Sequence, residues 1–569
     1  MTAISLFVRP GSEEVEEVLM HPLEVLQGYR LGGHRATVEL QKAGAPGVHI
    51  DFEVLKLVDD VQAGKVKAVV LTGTAGDGKT YLAYRVIDAL GLDRAAVAAA
   101  QVEGGYDRGG VYIDLDLSAG PLTADRVRRL HQVLSAPDRL TLVCANEGKL
   151  SELEERFRRS DLEVPRIPLR INLSHRSLVS PGAWAKVLHG ALDAAFWDEA
   201  GLSETDVLAR NRAWLQDPLV AENVRRYLLL PYLLGEPITI REVLSFLAYV
   251  LTGDLTHEQA GEVSGGDTSL LPYFLFNTLF SEPGGYVHGG RAVPAEKLLW
   301  WMFRFDPGVT ANPQTDLQLL TRLDQLDVVP PTELLDYWHS EMVFQPEEKS
   351  DTKYRRRVVT FMNHARRWYA LFSQVGHGAY FSFRHFNDYV DNLLTPSESL
   401  ADEIPTLIKG LNLLLSGGQV SEEYDLNLYH MSGLGIAQRS VIYNRHTQIS
   451  SDSLQLMSDL TSGDTAGDAY LERHPRRLYL CYPAGADPDD QIRLPISLLL
   501  YEVLIGAASP ESGFPATLWA KERHVVGRFL GALNQRVERR SVAEFVISVN
   551  AKGDLNLAHN PRKRRITVS

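Results

Sequence analysis

The sequence predicts an α/β fold: a parallel sheet covered by helices, followed by a helical lid, a mainly helical C-terminal region and a small terminal hairpin. Three observations carry this. Between residues 61 and 180, short apolar runs bounded by turn signals alternate with stretches of helical periodicity, the pattern of buried parallel strands joined by crossover helices. From about residue 181 the strand-like runs give way to helical spacing. In the last thirty residues the style changes, and Glu544 to Asn550 alternates with a two-residue period.

Residues 1–60 form an N-terminal segment for which no chemistry is expected, with Phe52 to Val61 reading as a helix that leads into the next element. Lys67 to Thr72 (KAVVLT) is a buried strand and Thr80 to Leu90 an amphipathic helix. Gly110 to Leu117 (GVYIDLDL) reads as a second strand, Thr123 to Leu134 as a helix, Leu140 to Ala145 (LTLVCA) as a third strand and Pro168 to Leu173 as a fourth. These elements make up a core over residues 61–180. The lid, 181–260, is helical from Trp184 to Gly253, and Thr239 caps the apolar-periodic stretch TIREVLSFLAYVL. GEVSGGD at 261–267 reads as a glycine-rich joint. Residues 261–540 are expected to be mainly helical and are rich in aromatics, Trp300, Trp301 and Trp368 among them. In 541–569, Glu544 to Asn550 alternates, Lys552-Gly553-Asp554 signals a turn and Leu555 to Ala558 follows, which predicts a hairpin before the basic tail.

A length of 569 residues exceeds what one hydrophobic core serves, so two to four domains are expected. With 45% apolar and 23% charged residues, most of the chain can bury a core. The net charge of −14 excludes a general coat of positive potential for nucleic acid, which leaves only local basic patches. Cys144 and Cys481 are too few for a disulfide framework, which fits a reducing, cytoplasmic setting. No run approaches the roughly 18 apolar residues of a membrane span. The 17 histidines form no H-E-x-x-H or comparable cluster, so no catalytic metal beyond magnesium is expected.

The segment Gly73, Thr74, Ala75, Gly76, Asp77, Gly78, Lys79, Thr80 matches G-x-x-x-x-G-K-[ST] in full. Glycines let successive N–H groups aim into one concavity where phosphate oxygens fit. Lys79 adds positive charge at the β- and γ-phosphates of ATP, the Thr80 hydroxyl joins the Mg2+ shell, and the following helix points its positive end at the same anion. A chance glycine turn would not explain its place between a buried strand and a helix. The chain therefore reads as a P-loop NTPase. Asp77 is expected to point away from phosphate and tie the loop by hydrogen bonds.

Hydrolysis also needs an acidic strand end near the loop. Two segments compete. In LTLVCANE, Glu147 would orient the attacking water, while Asn146 stands where a magnesium-organising aspartate is usual and brings no charge. In IDLD, Asp114 is the alternative metal-side acid, and Asn146 then becomes a polar sensor of the γ-phosphate on an adjoining strand. Glu147 is preferred, because the gap from Lys79 to Asp114 leaves little room for an extra strand and helix. Two arginines could stabilise charge on the transferred phosphoryl group. Arg176 could reach the nucleotide of a neighbouring subunit in a homo-oligomer, and Arg241, opening the lid helix, could approach the γ-phosphate of its own.

GTAGDGKT, LVCANEGKL with Asn146, Glu147 and Gly148, INLSHR and ITIREVLSFLAYVLTG together resemble AAA-like ATPases of prokaryotic anti-phage defence, the nearest being the ATPase subunit of phosphorothioation-dependent DNA restriction systems. The likeness covers roughly residues 50–255. It implies a cytoplasmic motor or switch that works with separate helicase or nuclease subunits on foreign DNA. The basic stretch Lys353 to Arg357 with Arg366, Arg367 and Trp368, and the tail Arg562 to Arg565, could contact DNA directly. A second function class stays open: a nucleotide-gated signalling or scaffold protein with little turnover, which Asn146 favours. A small-molecule or polynucleotide kinase is the third, though it needs little more than a compact lid.

Overall fold

The computed structural model describes residues 28–29, 48–136, 138–165, 169–193, 197, 206–265, 270–281, 287–288, 291–292, 297–341, 352–394, 400–415, 424–431, 440–458, 466–483, 491–509, 516–536, 544–549, 557–560 and 565–568. The chain divides into two compact units: Met1–Tyr232 with Glu236–Ser382 and Asp464–His474, and Leu233–Gly235 with Phe383–Gly463 and Pro475–Ser569.

The first unit is built on a five-stranded sheet of order β2-β3-β4-β1-β5, where β1 is Ala68–Thr72, β2 Tyr106–Arg108, β3 Val111–Asp114, β4 Leu140–Cys144 and β5 Leu169–Asn172. β3, β4, β1 and β5 are parallel, with Leu71 opposite both Cys144 and Ile171. The edge strand β2 is antiparallel to β3, an element too short and polar to announce itself in the sequence. Successive strand residues face opposite sides of a sheet, so the complete burial of Val69, Val70 and Leu71 requires cover on both.

Helices α1 (Lys56–Gln62), α2 (Lys79–Ala89), α3 (Arg94–Ala100), α4 (Ala124–Ser135) and α5 (Glu147–Arg159) surround the sheet. Val127 and Leu130 of α4 and Leu150, Leu153 and Phe157 of α5 join Val70 and Val143 in one buried cluster. Each such side chain contributes roughly 1.5–3 kcal/mol by leaving water. Each helix starts at a capping side chain: Thr123 Oγ1 accepts the Arg126 N–H at 3.3 Å, and Asn146 Oδ1 the Lys149 N–H at 2.7 Å.

The lid region contains α6 (Pro181–Ala191), α7 (Val207–Gln216), α8 (Pro218–Leu233) and α9 (Ile240–Thr252). A capping box opens α9: the Glu242 N–H donates to Thr239 Oγ1 at 3.3 Å, and Glu242 Oε2 accepts the Thr239 N–H at 2.8 Å. Of the expected joint at 261–267, residues 261–265 are helical, because α10 (His257–Gly265) runs through GEVSG, and 266–267 lie outside the described residues. Thr256 and Gln259 cap α10 reciprocally at 3.2 and 3.0 Å, and Ala260 and Val263 are buried, which outweighs the roughly 1 kcal/mol that each glycine costs a helix. The unit continues with α11 (Leu275–Thr278), a two-stranded ladder of β6 (Val287–His288) and β7 (Arg291–Ala292), α12 (Lys297–Arg304), α13 (Pro313–Thr321), α14 (Thr332–Glu341), α15 (Thr352–Phe372) and α16 (Gln374–Tyr380).

In the second unit, helices α17 (Phe386–Leu394), α18 (Leu400–Leu415), α19 (Leu498–Ala508) and α20 (Ala516–Arg536) agree with a helical C-terminal region. Strands add to it. β8 (Asp425–Met431), β9 (Ser440–Ser450) and β13 (Glu544–Val549) form a sheet of order β13-β9-β8, and β10 (Gln455–Ser458), β11 (Leu478–Pro483) and β12 (Gln491–Ile496) form another. Their signal was present, since the buried Leu478, Leu480, Leu494 and Ile496 lie two residues apart within their strands. The terminal hairpin exists, one strand later than expected. β13 pairs with β9, and β14 (Leu557–Asn560) pairs with β15 (Arg565–Val568). The turn signal at 552–554 lies outside the described residues.

Candidate functional site

At the carboxyl end of β1, the loop from Gly73 to Gly78 turns the chain into α2. Gly73 and Gly76 have φ of 139° and 97°, where L side chains are strained. Space is short at both positions as well. At Gly73 it would lie 2.6 Å from Asp77 Oδ2, and at Gly76 3.2 Å from both Arg241 Cβ and Thr239 Oγ1.

Asp77 is buried and turned into the protein, and it ties the loop as its charge required. Its Oδ2 accepts from the Thr74 N–H at 2.5 Å, Thr74 Oγ1 at 3.0 Å and Ser174 Oγ at 2.7 Å. Arg176 holds the same residue by its backbone, with Nη2 donating to the Asp77 carbonyl at 2.9 Å. Lys79 Nζ donates to the Gly73 and Thr74 carbonyls at 2.9 and 2.7 Å, so its ammonium stays against the loop.

A cavity of about 410 Å³ opens over this loop. Ala75, Gly76, Gly78, Lys79 and Thr80 line its floor, and Asp116, Ser118 and Asn146 stand at the ends of β3 and β4. Arg241, in the first turn of α9, closes another side, its N–H donating to the Gly76 carbonyl at 3.3 Å. The remaining wall is apolar and comes largely from the segment given no role above. Tyr29, Val48, Ile50 and Phe52 line it together with Leu244 of α9. Tyr29 Oη accepts the Val48 N–H at 3.2 Å, which pins that wall.

The sheet order rearranges the competing acids. β4 lies directly beside β1, and β3 lies one strand further out. Asn146 therefore stands on the adjoining strand, where it lines the cavity and donates from Nδ2 to Ser118 Oγ at 3.0 Å. Glu147 is paired with Arg170 of β5 and is not among the residues lining the cavity. Asp114 is buried and also absent from the lining, its Oδ2 accepting from Arg126 Nη2 at 2.9 Å. Burial pushes the Asp114 carboxyl pKa up, and Arg126 works against that rise. Asp116, two residues on, is exposed and faces the cavity, with Oδ1 accepting the Ser118 N–H at 2.9 Å. The acid in the cleft is thus one that the strand motif contained but the spacing argument passed over.

Arg176 also lines the cavity, held from inside the fold. It is buried, its guanidinium lies 4.2 Å from the centre of the Phe52 ring, and burial lowers its pKa to about 10 against the opposing pull of Asp77 and Glu472. The expected DNA patch is also revised. Arg366 forms a two-point pair with Asp316 at 2.8 and 2.7 Å, Arg367 one with Asp306 at 2.8 and 2.6 Å, and Trp368 is buried. Arg355 and Arg356 remain exposed, and the tail residues 562–564 lie outside the described residues.

Among the described residues, no group of three or more His, Cys, Asp or Glu side chains is arranged to hold a metal ion, and no helix is long and apolar enough to cross a membrane. No protein-family model, curated protein or solved structure matches the chain. The functional reading rests on the site.

Proposed function

We propose that the chain is a P-loop NTPase that binds ATP with Mg2+ over the Gly73–Thr80 loop and hydrolyses it, acting as the motor or switch subunit of a DNA-directed defence complex. One observation carries the nucleotide reading: a lysine ammonium, a threonine hydroxyl, a carboxylate, an amide and a guanidinium share a single cleft with an apolar wall, at the carboxyl ends of parallel strands. The amides of the loop and Lys79 neutralise phosphate oxygens. The wall of Tyr29, Ile50, Phe52 and Leu244 has the character needed to take a flat base out of water. The Thr80 hydroxyl is a hard oxygen donor in that cleft and would join the shell of magnesium, which when bound supplies charge neutralisation to the β- and γ-phosphates.

In hydrolysis, water attacks the γ-phosphorus and the bond to the β-phosphate oxygen breaks, giving ADP and inorganic phosphate. Asp116 orients the water and draws on its proton, Asn146 donates a hydrogen bond to the γ-phosphate, and Arg241 offsets its charge. A second reading, a switch that binds ATP and turns it over slowly, is favoured by the Glu147–Arg170 pair, which engages the other carboxylate outside the cleft. The resemblance in the GDGK loop and the lid helix supports partnership with helicase or nuclease subunits.

The test is ATP binding and turnover, with and without DNA, for the native chain, Lys79→Ala, Asp116→Asn and Glu147→Gln. A hydrogen bond to a charged group is worth roughly 1.5–3 kcal/mol, so Lys79→Ala should weaken ATP binding about 10- to 100-fold. Unchanged binding in that variant would sink the nucleotide reading. Turnover near zero in the native chain under every condition would leave the slow switch.

A further inference from the structure

A short stretch far along the chain belongs to the first unit although its neighbours in sequence do not. Asp464–His474 is grouped with the α/β sheet, whereas the chain up to Gly463 and from Pro475 onward is grouped with the second unit. Its described part, 466–474, lies along β5 and the connection from β5 to α6. Gly467 packs so closely on β5 that an added Cβ would lie 1.9 Å from the Arg170 carbonyl oxygen. Tyr470 donates to Asp60 Oδ2 at 3.0 Å, and the Tyr232 hydroxyl donates to the His474 carbonyl at 2.7 Å.

Glu472 meets the connection that follows β5. Its carbonyl accepts the Ser177 N–H at 2.7 Å, and its Oε1 accepts from Lys186 Nζ at 2.7 Å. Ser177 directly follows Arg176, and the same connection carries Ser174. Ser174 holds the Asp77 side chain and Arg176 holds the Asp77 backbone, at 2.7 and 2.9 Å. The Glu472 charge also acts on Arg176. The connection that braces the loop from two directions therefore hangs from this segment on its far side.

We propose that 466–474 is a coupling strap. Seated, it holds the Ser174–Ser177 connection in place and so keeps the loop in its phosphate-ready shape. Because both ends of the strap continue into the second unit, displacement there is delivered covalently to the nucleotide loop. The coupling is reciprocal, as linkage requires: whatever factor the seated strap adds to nucleotide affinity, bound nucleotide adds to the stability of the seated strap. The inference rests on the nucleotide reading above.

The experiment is hydrogen exchange over 466–474 in the full chain, with and without ATP and magnesium, beside ATP affinity in the native chain and in Gly467→Ala. Exchange over the strap should slow about tenfold on nucleotide binding, and Gly467→Ala should weaken ATP binding by a similar factor, within the range known for coupled sites. If the native chain takes up ATP while exchange over 466–474 is unmoved, the strap proposal alone is overturned. That measurement stands even if Gly467→Ala fails to fold. If the native chain takes up no nucleotide, the reading beneath it fails as well.

Discussion

The cleft and the helical stretch 297–382 of the first unit handle charge in opposite ways. Around the cleft, the charged residues Lys79, Asp116 and Arg241 line one open space. In the helical stretch, charges find internal partners: Arg366 pairs with Asp316, Arg367 with Asp306, and the Asp327 carboxylate accepts from Ser373 Oγ at 2.7 Å. A polar group whose partners are all internal holds the fold together, and removing it costs stability. One that keeps a face toward a cavity is available for chemistry, and removing it costs activity instead.

The largest effect expected from this contrast is at Asp116. Asp116→Asn should lower ATP turnover roughly 100- to 10,000-fold, the range for loss of a general base, with thermal stability nearly unchanged. A clear fall in melting temperature would place Asp116 with the structural charges. Asp306→Ala should do the reverse. Stranding Arg367 beside its lost partner should cost about 3–5 kcal/mol in denaturant unfolding while ATP affinity in the folded protein stays the same. Lost affinity without lost stability would reverse the assignment.

Acid should injure the helical stretch next. Burial lowers the pKa of His364 and His377 to about 4 from the ordinary 6.5, helped by Arg367 beside the first and Arg226 beside the second. A folded-state pKa below the unfolded value means that their contribution is complete above pH 6.5 and is lost as the pH falls toward 4. At pH 5 each should cost about 2 kcal/mol. Urea midpoints at pH 7 and pH 5 test this, and a double His364→Gln, His377→Gln variant should show a shallower loss. The smallest effect is at the cap of α9. Thr239→Ala should cost about 1 kcal/mol of stability and, because Thr239 and Arg241 abut Gly76, should also weaken ATP binding a few-fold. Stability lost with affinity intact would separate the cap from the loop.

Much of the fold was legible because its signals are local. The unbroken apolar run of β1, the cap at Thr239 and the helical spacing of α9 each announce an element within a dozen residues. The second unit shows where this fails. β11 and β12 carry a two-residue alternation, yet with the apolar helix Leu498–Ala508 directly after them it passed as part of a helical region. The glycines at 261–265 misled in the other direction, since burial and a cap decided against local propensity. The apolar wall of Tyr29, Val48, Ile50 and Phe52 had no signal at all. Side chains become a cavity wall only when a segment distant in sequence is laid beside the loop.

From the chain of letters alone came a contiguous loop, its lysine and threonine, and the strand and helix on either side, since an eight-residue motif is shaped by its own backbone. Which acid faces it was settled only by folding. Placing β4 between β1 and β3 set Asn146 beside the loop, drew Glu147 to Arg170, buried Asp114 against Arg126 and left Asp116 in the open. Strand order depends on long-range hydrogen bonding and packing, and no short window of sequence records it.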